Sequence, residues 1–313
     1  MKIIDVHSHF IYPEYLDKLK KYHKETEDGF PTPTWSIEEH LDSMAKAGID
    51  KSLISVSSPH FYFGDNAEAV QLGRKMDEYA AEYKKKYPDK IMFASALPVP
   101  DMNASIEAVH YAYDVLNADA VKLPSNACGV YPGDDQYEAL FKVLNERKAV
   151  VILHPTAPTA IPEGCFTAGP LPLFEFIADT TRAVVNLITS GVLERYPDIK
   201  VIVPHCGSFL PNIVDRLTGI TKVLSVKGVG RPVEVEKSLK SLYFDIAGDA
   251  LPAGIKILLT LTDEEHILFG GDFPYTPTDN ITKKIDDLLH CEELKPILDN
   301  IMFKNAERLL CQK

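Results

Sequence analysis

The stretch K2-IIDVHSH-F10 decides how the chain reads. A short run of β-branched residues ends in two histidines spaced two apart. A strand alternates its side chains between two faces, so Asp5, His7 and His9 are expected on one face, with Ile4 and Val6 on the other. Two imidazoles at the C-terminal tip of one strand can grip a single ion.

Seven further runs of strand length follow: Ser52–Val56, Ile91–Ala96, Ala118–Leu123, Val150–His154, Lys200–His205, Leu242–Ile246 and His266–Gly271, the first run being Lys2–His7. Segments of helical period lie between them. These are Ser36–Ala47, Asp65–Lys86, Ser105–Leu116, Gln136–Arg147, Phe174–Glu194 and Asn212–Ser225, with shorter helical runs around the last strand. Ser36 with Glu39 three residues on is a capping box. Strand and helix alternating eight times implies a parallel sheet with crossover helices, and eight units favour an α/β fold closed into a (β/α)8 barrel. The 313 residues suit one such domain spanning 1–313, since a barrel needs about 250 residues plus insertions. The connections Phe10–Trp35 and Pro155–Pro172, after strands 1 and 5, are long and rich in proline and aromatics. They belong at the C-terminal face, where 10–35 is expected to form a lid.

Composition narrows the function. Hydrophobic residues make up 45% and charged residues 25%, which is ordinary for a globular protein. The net charge of −12 argues against nucleic acid. The apolar runs are far shorter than the roughly 20 residues of a membrane span. The N-terminus meets charge and histidine too early for a secretory signal, and five widely spaced cysteines without a CxxC pair read as reduced thiols. A cytoplasmic location is therefore expected.

The histidines are unequal. His154 ends VVILHP, His205 ends VIVPHCG and Asp272 ends ILFGGDFPY. In a closed barrel these strand ends meet His7 and His9 at one mouth. A lone histidine on an apolar strand is usually a core residue, but four histidines and an aspartate at converging ends make a divalent-metal site, with zinc favoured by imidazole. His23, His40, His110 and His290 read as surface residues, and His266 sits at the far end of the barrel. His60 follows the second strand, within approach of the mouth. Phe10, Trp35, Phe273 and Tyr275 flank the motifs as candidate aromatic walls, and Asn126 is a candidate polar contact. Asp245 is a candidate partner for a ligating histidine. Cys206 is expected to be buried, inert and pointing away from the mouth.

HxH on the first strand, His on the fifth, His on the sixth and Asp on the eighth resembles the amidohydrolase superfamily over essentially the whole chain. DGFPTPTWSIEEHLDSMAKAGIDKSLISVSSP (Asp28–Pro59), DAVKLPSNACGVY (Asp119–Tyr131) and GGDFPYTP (Gly270–Pro277) resemble 6-methylsalicylate decarboxylase-like proteins, within the aminocarboxymuconate-semialdehyde decarboxylase group. The resemblance implies one divalent ion, zinc or else manganese, held by His7, His9, His154 and Asp272. It implies catalytic roles for His205 and Asp272, a small carboxylic acid substrate, and a homodimer or homotetramer. The implied activity is a carboxy-lyase reaction, the non-oxidative decarboxylation of an aromatic or unsaturated acid. Lys122 falls where two-metal members of the superfamily carry a bridging lysine; the alternative is a lysine paired with a carboxylate inside the barrel. The same constellation would also serve a hydrolase of a lactone, amide or ester, or a non-catalytic metal- or ligand-binding barrel.

Overall fold

The computed structural model describes residues 1–22, 28–164 and 169–311. Eight strands run in parallel in chain order: β1 (Ile4–Phe10), β2 (Lys51–Val56), β3 (Ile91–Ala96), β4 (Ala120–Pro124), β5 (Val150–His154), β6 (Lys200–Val203), β7 (Tyr243–Asp245) and β8 (Ile267–Leu268). Backbone bonds from Val6 N to Phe269 O (3.0 Å), Asp272 N to His7 O (2.6 Å) and His9 N to Phe273 O (2.7 Å) join the last strand to the first. The sheet is thus the closed (β/α)8 barrel that the alternation predicts.

Two apolar cores follow from the pleat. Inside the barrel lie Ile4, Val6, Leu53, Met92, Ala94, Ala120, Ile152, Ile202 and Leu268, with Ala306 and Leu310 of the last helix packed against them. The alternate residues, among them Ile54, Phe93, Val121, Val151, Val201 and Phe244, pack outward on the helices. Lys122 and His154 share the pleat of Ala120 and Ile152, so they continue the interior column towards the mouth.

The interior column corrects the expectation for β1. Ile4 and Val6 face the interior, and Asp5 does not share the face of His7 and His9. The register against β2 shifts between Asp5 and Ser8, where a β-bulge inserts one residue. The bulge turns His7 and His9 inward on a strand whose earlier inward positions are Ile4 and Val6. Asp5 holds it. The carboxylate accepts from His7 N (2.9 Å), Ser8 Oγ (2.7 Å) and Gly271 N (2.8 Å). A side chain on Gly271 would sit 2.5 Å from Asp5 Oδ2, so only glycine allows β8 to come this close.

Local signals behave as their chemistry dictates. Ser36 caps the helix Ile37–Ala47, with its Oγ accepting from Glu39 N at 3.1 Å. The helix Met102–Asp114 starts earlier than its period suggests because Asp101 caps it through Ala104 N. The span Phe174–Glu194 is two helices, Glu175–Thr189 and Val192–Arg195, broken where Gly191 adopts φ +72°. The connection after β1 contains a helix, Pro13–Tyr22, that its sequence period does not disclose. His40 is a second correction. It is 1% exposed, with Nε2 3.1 Å from Ser52 Oγ and Nδ1 accepting from Trp35 Nε1 at 3.2 Å. His110 and His290 are exposed as expected, and His23 lies outside the described residues.

Asp5→Ala leaves three buried donors unpaired and is expected to cost about 3 kcal/mol or more in urea unfolding; a loss below about 1 kcal/mol would show that the bulge does not depend on Asp5. Burial, with His9 nearby, lowers the His40 pKa to about 4. Below its ordinary value of 6.5 the unfolded chain therefore binds more protons than the folded one, and stability falls as pH drops towards 4. Unfolding curves between pH 7.5 and 4.5 are expected to show a shallower decline in His40→Gln than in the parent. Parallel declines would assign the acid sensitivity to other groups.

Candidate metal centre and pocket

The bulge, the end of β5 and the turns after β6 and β8 bring His7, His9, His154, His205 and Asp272 together. The His7 and His9 ring centres lie 5.0 Å apart, His9 and His154 4.8 Å, and His7 and His205 5.2 Å. One ligand atom from each of His7, His9 and His154 falls within 4.8 Å of the others, and the same holds for His7, His205 and Asp272. Asp272 Oδ1 lies 3.2 Å from His9 Nε2 and 3.6 Å from His7 Nε2. Both of these nitrogens are buried without a hydrogen-bond partner, as is His205 Nδ1. Orphaned, converging imidazole nitrogens beside a carboxylate are the donor set of a divalent cation.

The opposite ring nitrogens are fixed. His7 Nδ1 lies 2.8 Å from Asp245 Oδ2, and His154 Nδ1 lies 2.9 Å from Pro155 O. Both contacts direct Nε2 to the centre. Asp245 Oδ1 also accepts from the backbone N–H groups of His205 (3.1 Å) and Ala247 (3.0 Å), so one carboxylate ties β1, β6 and β7 together. Tyr243, two residues earlier, packs on the barrel interior, which accounts for Asp245 facing the same way.

Burial is the largest influence on each group. It pulls His9 down, lowers His154 well below the usual value, and lowers His205 to about 4. His7 is the exception. Burial lowers it too, but Asp245, Asp272 and Asp5 outweigh that and raise it to about 9. Burial also pushes Asp272 up, but the His9 contact and the neighbouring histidines win and hold it at about 2. Asp245 likewise stays below the usual carboxylate range through His7. The backbone is strained at the same places: His205 and Asp272 adopt φ +57° and +67°, an uncommon conformation for side-chain-bearing residues and concentrated at functional sites.

At the cluster opens a cavity of about 820 Å³ including its mouth, with His154, His205 and Asp272 in its lining. Phe30, Pro59, Pro172, Phe176, Ile177 and Tyr275 supply apolar walls. Asp28, Thr32, Ser57 and Ser58 also reach it. Tyr275 thus lines the pocket, as its sequence position suggests. Trp35 does not, for it packs edge-on against Phe10, Tyr79 and Tyr83. Phe273 packs on His40, and Phe10 is buried in the outer core. Asn126 is taken up by the fold: Oδ1 accepts from Gly129 N (2.9 Å) and Nδ2 donates to Asp179 (2.8 Å). His60 Nε2 lies 3.1 Å from Val99 O, and the residue lines a different cavity. Burial pulls Lys122 down to about 7, and its ammonium donates to Ser57 O at 3.1 Å. Among the described residues it has no carboxylate partner. Cys206 is half-buried where full burial was expected, and burial pushes its thiol up to about 12.

Sequence reasoning misses the pocket residues Asp28, Phe30, Ser57, Ser58, Pro172 and Phe176. The available signal is an acidic residue in an aromatic, proline-rich connection, DGFPTP.

A family model described as amidohydrolase matches residues 4–311. A decarboxylase named yanB from Aspergillus niger is 31% identical, covering 91% of this chain and 80% of its own. A 6-methylsalicylic acid decarboxylase from Penicillium expansum is 30% identical, covering 90% and 88%. A crystal structure of an amidohydrolase II superposes with a TM-score of 0.93 at 34% identity, covering 99% of this chain and all of that one.

Proposed function

This chain belongs to the amidohydrolase family, and we propose that it is a metal-dependent decarboxylase of a small aromatic or unsaturated carboxylic acid of the 6-methylsalicylate or hydroxybenzoate type. The observation that carries the reading is the set of buried, unpartnered imidazole nitrogens of His7 and His9 beside Asp272, at the floor of an apolar pocket. The decarboxylases that share 30–31% of its residues supply the reaction class.

In this reading His7, His9, His154 and Asp272 hold one divalent ion. The imidazole-rich set favours zinc, and the carboxylate leaves room for manganese. A divalent ion held there would supply Lewis acidity towards the oxygens of the acid. Phe30, Pro172, Phe176 and Tyr275 clamp a flat ring and exclude water, with Phe30 and Pro172 supplied by the two long connections after β1 and β5. His205, neutral near pH 7 because burial holds it near 4, presents an unpartnered Nδ1 for a substrate oxygen. Asp272, ionised near pH 7, relays a proton taken up from water. The ring-carbon–carboxylate bond breaks, its electron pair stays on the ring carbon, and a proton passed through the Asp272 carboxylate takes the place of carbon dioxide.

The test is carbon dioxide release from 6-methylsalicylate and related hydroxybenzoates, run beside lactones, esters and amides. Carbon dioxide and the phenol in equal amounts are the expected outcome. Hydrolysis of an ester or lactone with no carbon dioxide from any acid would overturn the reading. Asp245→Asn is expected to weaken divalent-metal binding about ten- to a hundredfold, read by competition with a chelator, because His7 loses the partner that orients it. Unchanged affinity would remove Asp245 from that role.

A further inference from the structure

One carboxylate of the pocket, outside the histidine cluster, is only half used by the fold. Asp28 is 6% exposed, and its Oδ2 accepts from Ser58 Oγ at 2.9 Å. Its Oδ1 is buried without a partner. Two loops fix its position. The Asp28 carbonyl accepts from Leu171 N (2.8 Å) of the connection after β5. Gly29 beside it adopts φ +73°, with Pro170 Cα 3.1 Å from where a side chain would begin. A buried carboxylate oxygen left unpaired is costly, and Asp28 is among the residues that line the cavity the substrate would fill.

The charge distribution of the pocket is one-sided. Among the described residues, its lining contains no lysine or arginine. Its carboxylates are Asp272 and Asp28. Tyr275 lies within electrostatic reach of both. The cavity therefore carries, besides the histidine cluster and Asp272, a second carboxylate at Asp28 among largely apolar walls.

We propose that Asp28 sets specificity: its Oδ1 accepts a hydrogen bond from a ring hydroxyl or amino group of the substrate, so the site favours donor-bearing mono-acids over di-acids. The substrate class rests on the decarboxylase reading, but the contact itself is a binding event. A ligand lacking the donor leaves Oδ1 unpaired, and sites built around such a bond discriminate strongly. A second carboxylate would meet a like charge in a cavity whose described lining holds no lysine or arginine.

Calorimetric titration of the manganese-loaded protein with phenol and with the isomeric dihydroxybenzenes tests the contact without turnover. The parent is expected to bind at least one dihydroxybenzene at least tenfold more tightly than phenol. Asp28→Ala is expected to bring that ratio close to one, with metal content and melting temperature as in the parent. No preference in the parent, or an unchanged ratio in Asp28→Ala, would overturn the proposal. Asp28→Asn preserves the side-chain shape and provides a second arm. It is expected to bind 4-hydroxyisophthalate at least tenfold better than the parent, and no gain would count against the proposal. A collapsed ratio in Asp28→Ala, with no carbon dioxide from any acid in the parent, would uphold Asp28 and overturn the decarboxylase reading alone.

Discussion

The buried carboxylate of Asp245 is the interaction on which the site depends. Four imidazoles in one desolvated mouth are stable only if something fixes their orientation and compensates the charge they gather. Asp245 does both. It meets His7 Nδ1, accepts from the His205 and Ala247 amides, and stays ionised against strong desolvation. The parallel barrel lets a single carboxylate suffice, because the strand ends that deliver these groups converge on one face whatever their distance along the chain. Asp5 has a matching role on the neighbouring layer, bonding the bulge of β1 to the glycine turn after β8.

Much of this architecture is legible in the sequence. Runs such as Ile91–Ala96 and Val150–His154 are bounded as their apolar content predicts, since an interior strand must be apolar on both faces. The histidines stand out because they interrupt such runs at their C-terminal ends. β8 is harder to read. Only Ile267–Leu268 pairs as strand, because Gly270 and Gly271 allow the close approach of His7 and Asp5 and end the regular ladder.

The features hidden from the sequence have a common cause. Period-two reasoning assumes an unbroken pleat, and the bulge in β1 breaks it, so the pattern puts Asp5 on the wrong face. His40 lies on a helix with polar neighbours, yet its ring is drawn inward by Ser52 and Trp35 on separate elements. Trp35, Asn126 and Phe273 lie close to the motifs in sequence, but turns without a period decide where they point. The same holds for Asp28 and Phe30, whose loop carries no repeating pattern from which an inward direction could be read.

A single divalent ion held by residues of β1, β5 and the turn after β8 is the claim on which the proposed chemistry stands. Metal content of the purified protein, measured by mass spectrometry on the parent and on His154→Ala, tests it most directly. About one zinc or manganese per chain is expected in the parent, with most of it lost in the variant. Two ions per chain would bring Lys122 into the site as a bridge. No stoichiometric metal, or full retention in His154→Ala, would contradict the single-ion site.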